Sequence, residues 1–100
     1  MLKHIVMWRM KEQAEGISTE QNAQELKRRL ESLEAVIPEI LELEVGIQFK
    51  ASETAWDVVL VSVFENPAAL EIYQKNPEHE KVVEFVKKII SDRKVVDYEI

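Results

Sequence analysis

The chain contains no cysteine, which excludes a disulfide framework and any thiolate site. Its two histidines, His4 and His79, lie at opposite ends of the sequence, so the ligand spacing of a first-row metal site is missing. Neither a metal nor a cofactor is expected. Glycine is equally scarce: Gly16 and Gly46 stand alone, with no phosphate-loop pattern around them. Basic charge is in deficit, 13 Lys and Arg against 19 Asp and Glu, giving a net charge of −6 and a pI near 5.0. That balance argues against nucleic acid or an anionic membrane as partner, because phosphate binding needs clustered cations to displace counterions. The densest basic stretches, Lys27-Arg28-Arg29 and Lys87-Lys88, read as solvated helix faces. No apolar run approaches the roughly 20 residues of a membrane span, and the charge in Met1-Leu2-Lys3-His4-Ile5 comes too early for a signal peptide. A cytoplasmic location is expected.

What is present is the composition of a folded domain. With 46% hydrophobic and 32% charged residues over 100 positions, the chain reads as one globular domain spanning 1–100. Domains of this size bury a smaller share of their surface than larger ones, so association is a natural source of further stability.

Residues 2–10 alternate as a strand that is substantially apolar on both faces, Leu2, His4, Val6, Trp8 and Met10 against Lys3, Ile5, Met7 and Arg9. A polar loop over 11–17 leads to Ser18, with Gln21 three residues on, the signature of a capping box. The helix that follows places Ala23, Leu26, Leu30, Leu33 and Ile37 on one stripe and stops at Pro38. Residues 39–50 alternate Leu41, Leu43, Val45, Ile47 and Phe49 with Glu42, Glu44, Gln48 and Lys50, a half-buried strand in which Gly46 marks a bulge. Residues 56–65 form a β-branched run apolar on both faces, the mark of a central strand.

Asn66-Pro67 and Asn76-Pro77 each pair an N-cap with a first-turn proline, so two helical segments meet near Lys75. The second carries Val82, Val83, Phe85, Val86, Ile89 and Ile90, Ser91-Asp92 closes it, and residues 94–100 form the last strand. The order β-α-β-β-α-β is that of a ferredoxin-like α+β sandwich, whose helices cover one face of a four-stranded antiparallel sheet. Ile5, Met7, Val59, Val61 and Val63 would then lie bare on the other face. Two copies packing sheet to sheet would cover them, so a homodimer with a barrel-like core is expected.

Chemistry concentrates in Tyr73-Gln-Lys-Asn-Pro77-Glu-His79, which sets a phenol and an imidazole around a helix start. At a first-turn position the helix dipole favours neutral imidazole, while Glu78 and Glu80 push the opposite way. His4 joins this pair only if the sheet packs beneath the helix. Trp8, Trp56 and Phe64 read as core or interface residues able to line an apolar pocket.

Lys3-His4-Ile5-Val6, Val45-Gly46, Asp57-Val58-Val59-Leu60, the 73–79 motif and Val96-Asp97-Tyr98-Glu99 together resemble the Dabb family, the stress-responsive dimeric A/B barrel domains. The resemblance covers almost the whole chain and implies a ferredoxin-like fold and a homodimer. One branch, the plant polyketide cyclases of the olivetolic acid type, uses a Tyr and a His at the Tyr-x-x-x-Pro-x-His spacing seen at Tyr73, Pro77 and His79, and carries a histidine at the place of His4. This chain differs from that branch at Asp57, where the cyclases have a histidine, and at Asn76, where many relatives have one. Two roles follow. The first is a dimeric module holding a small apolar ligand between sheet and helices, with His4, Trp8, Asp57, Tyr73 and His79 as contacts. The second is a cofactor-independent lyase or cyclase in which His79 is the general base, Tyr73 donates to a developing enolate, and Asp57 orients a histidine.

Overall fold

The computed structural model describes all 100 residues. Strand β1 (Leu2–Met10) is followed by a small hairpin of β2 (Gln13–Ala14) and β3 (Ile17–Ser18), then helix α1 (Thr19–Val36). Strands β4 (Glu42–Ile47) and β5 (Val58–Phe64), helices α2 (Pro67–Lys75) and α3 (Pro77–Ile89) and strand β6 (Ile90–Glu99) complete the chain. The main sheet runs β4-β5-β1-β6, antiparallel throughout, and the fold is ferredoxin-like.

The local signals act as their chemistry dictates. Ser18 accepts from Gln21 N at 3.3 Å, and Asn66 accepts from Ala69 N at 2.9 Å. Asn76 ends α2, its amide bonded to Tyr73 O at 3.2 Å, and starts α3, its side chain accepting from Glu78 N at 2.9 Å. The α1 stripe of Leu26, Leu30, Leu33 and Ile37 is buried against Val6, Val58, Leu60 and Phe64 of the sheet. Arg29 of α1 lies over the Phe85 ring of α3 at 3.9 Å, joining the two helices at the surface.

Four expectations are corrected. The 11–17 segment is a hairpin rather than a loop, turned by Glu15 and Gly16 at φ of 55° and 73°. Buried Asn22 ties that hairpin to α1 by donating to Ala14 O at 3.2 Å and Ile17 O at 3.3 Å. Gly46 makes no bulge: the register runs unbroken through Gly46 and Val59, and Val59 Cγ1 lies 3.2 Å from where a Cβ would stand. The absent side chain leaves room for the Val59 side chain opposite it. Leu41 and Phe49 fall outside β4, and Phe49 is 97% exposed. Finally, β6 begins at Ile90, because the chain turns from helix to extended backbone at that one residue (φ −101°, ψ 152°) and pairs at once with Met10. A register shift between Arg9 and Met10 absorbs the turn.

The helices cover the face bearing His4, Val6, Trp8, Val58, Leu60, Ser62 and Phe64. The opposite face bears Ile5, Met7, Val59, Val61, Val63, Val96 and Tyr98, of which Met7, Val96 and Tyr98 are exposed.

Candidate functional site

Strand alternation sends His4 and Trp8 to the helix side of the sheet, and the shared cap at Asn76 brings Tyr73 and His79 down over them from separate helices. The Tyr73 and His79 rings stand 4.3 Å apart, His4 and Tyr73 6.3 Å, and Phe64 wedges against Tyr73 at 4.9 Å. Together His4, Trp8, Tyr73 and His79 line a cavity of about 280 Å³, walled by aliphatic residues of β1, β5, α1 and α3.

The two imidazoles in that cavity are fixed from behind and free in front. His4 Nδ1 donates to the Asp97 carboxylate of β6, which sets its tautomer and leaves Nε2 as its free nitrogen. His79 Nδ1 donates to Gln74 O at 3.1 Å, and that carbonyl can only accept. Its Nε2 lone pair therefore remains available. Burial lowers the His79 pKa; the bond to Gln74 and Glu80 oppose this, while His4 and Arg93 add to it. The ring is held neutral at neutral pH. Burial likewise pushes the Tyr73 hydroxyl well above the phenol range, with Arg93 pulling weakly the other way, so it is a donor rather than a phenolate. The Tyr73 hydroxyl and the Trp8 indole N–H are both buried with no partner in the protein. Buried polar groups left unpaired cost about 1–3 kcal/mol each.

Asp57 is not brought to this cavity. Its carboxylate accepts from Met10 N at 2.7 Å and its amide donates to Trp8 O at 2.9 Å, so it ties the end of β1 to the start of β5. It borders a hollow on the open sheet face with Met7, Gly46, Phe49 and Trp56, and Trp56 receives Arg9 at 4.8 Å from its ring. The carboxylate that orients a histidine is Asp97, opposite His4 in the β1–β6 register. Sequence reasoning also missed Arg93 and Lys87, which line the same cavity. Their signal was present: Arg93 shares the face of Asp97 at an interval of four along β6, and Lys87 lies one residue from Val86 on the core stripe.

Fold and site together define a ferredoxin-like domain with one covered face holding a small cavity and one open apolar face. The chain belongs to the Stress responsive A/B Barrel Domain (Dabb) family, whose profile matches residues 2–100. It is similar to a dimeric protein of unknown function and ferredoxin-like fold from Bacteroides fragilis, with 28% identity over 99% of this chain and 95% of that one, and a TM-score of 0.84. A dimeric ferredoxin-like protein from Thermobifida fusca superposes with a TM-score of 0.84 at 19% identity, over 99% of this chain and 90% of that one. A hydroxynitrile lyase from Passiflora edulis superposes with a TM-score of 0.83 at 18% identity, covering 99% and 92%. No curated protein is significantly similar in sequence.

Proposed function

We propose that the protein is a homodimer in which each subunit binds one small, mainly apolar molecule carrying an oxygen acceptor, in the cavity between sheet and helices. The observation that carries this reading is the pair of unpartnered donors, Tyr73 hydroxyl and Trp8 indole N–H, buried beside a cavity with mostly aliphatic walls. A ligand oxygen brought within reach of either donor would satisfy a group that is otherwise a cost. Pairing of two open sheet faces would bury the apolar side chains of β1, β5 and β6, and the Bacteroides fragilis and Thermobifida fusca proteins are dimers. The test is titration with benzyl alcohol while following the Trp8 indole N–H by NMR. A downfield shift in wild type that is weakened in Tyr73→Phe is expected; no shift at millimolar probe would overturn the reading.

A second reading rests on His79, whose neutral ring has its Nε2 free and its centroid 4.3 Å from that of Tyr73. That arrangement suits removal of a proton alpha to a carbonyl, with Tyr73 donating to the enolate oxygen. Acetophenone in heavy water should then exchange its methyl protons faster with wild type than with His79→Ala, while both bind it. Exchange no faster than buffer leaves only the binding role.

A further inference from the structure

We propose that the ligand of this cavity is an anion, a small monocarboxylate with an apolar body, selected at the cavity mouth by Arg93. This rests on the binding role proposed above and adds the ligand's charge. The only charged residues lining the cavity are two cations, Lys87 and Arg93, in a protein whose net charge is −6. Lys87 leans to Glu84 at 3.4 Å, but Arg93 makes no ion pair. The nearest carboxylate on its face of β6, Asp97, is taken up by His4. Arg93 lines the cavity, and its charge acts on both Tyr73 and His79 within it.

The hydrogen-bonding groups inside agree with this charge. Tyr73 and Trp8 offer donors with no partner, and Arg93 adds a planar fork matched to a carboxylate. A carboxylate has several lone pairs to accept such bonds, whereas a neutral alcohol satisfies fewer of them. The volume of about 280 Å³ holds roughly nine waters at liquid density, so a compact aromatic or branched acid fits and a long chain does not.

Benzoate and benzyl alcohol, similar in size and differing in charge, separate the possibilities. Calorimetric titration of the intact protein at low salt should give benzoate about tenfold tighter binding than the alcohol, falling as salt rises. Arg93→Gln, a change at an exposed position, should bring benzoate to the alcohol's affinity and leave the alcohol within about twofold. Equal affinity of wild type for both probes, or equal weakening of both by R93Q, overturns the anion inference alone. If neither probe binds at millimolar concentration, the cavity reading fails with it. Circular dichroism on R93Q ensures that lost binding is not lost fold.

Discussion

The two faces of the sheet carry similar apolar side chains but differ in what stands among them. On the covered face, His4, Trp8, Tyr73 and His79 interrupt the aliphatic wall, and two of their polar atoms have no partner. On the open face, Ile5, Met7, Val59, Val61, Val96 and Tyr98 form an apolar centre with charges around it, Glu42 and Glu44 on one edge, Lys94 on the other, and Lys3 and Arg9 toward the two ends of β1. A surface built for association needs area and complementarity, and unpaired polar groups only weaken it. A surface built to recognise a small molecule needs the reverse. The contrast supports the division proposed above, contact with another chain on the open face and small-molecule recognition on the covered one.

Four changes test that division, in order of expected effect. Phe64→Ala removes the ring wedged against Tyr73 and His4 and should cost about 3–5 kcal/mol in urea unfolding; a loss below about 1 kcal/mol would mean the covered face is not a packed wall. Val61→Asp puts a charge at the centre of the open face and should cost the dimer about 2–4 kcal/mol. Sedimentation velocity should show a folded monomer that still binds benzyl alcohol, and an unchanged dimer would place the contact elsewhere. Tyr73→Phe should act in the opposite sense, raising stability by about 1 kcal/mol in the absence of ligand by deleting an unpaired buried hydroxyl while weakening binding. A destabilised Y73F protein would mean the hydroxyl has an unseen structural partner.

The smallest effect concerns pH. Burial depresses the His79 pKa below 6.5, so the unfolded chain binds the proton more readily than the folded one. The stability this residue contributes is present above pH 6.5 and lost as pH falls through that value toward the folded pKa. His79→Gln should flatten that part of the stability profile. An identical slope in the variant would show that the ring titrates as it does in water.

Much of this was legible because it is local. Ser18, Asn66 and Asn76 announce their caps, and the Tyr73-to-His79 spacing is close enough along the chain for the helix break to fix their meeting. The alternation of β1 places His4 and Trp8 on one face, and the doubly apolar β5 requires cover on both. What was not legible depends on register. Asp97 becomes the partner of His4 only through antiparallel alignment of strands 93 residues apart, and Asp57, an equally good carboxylate on paper, is directed instead to Met10 N. Arg93 reaches the cavity because β6 starts at Ile90 rather than at Lys94, which follows from where α3 ends against Met10. The Glu15-Gly16 turn is a different case: the glycine was visible, but a hairpin of two-residue strands carries too little hydrophobic pattern to announce itself.

Asn76 ends one helix and begins the next, so the separation of phenol and imidazole follows from the backbone angles of a single residue, φ −65° and ψ 132°. Such a joint confers a tolerance of its own. Fraying of the exposed β6 edge would release His4 from Asp97 and swing Arg93 away, yet Tyr73 and His79 would keep their spacing, since neither is held by that strand. The site divides into a jaw set by the local helix break and a floor whose His4–Asp97 contact depends on long-range strand pairing.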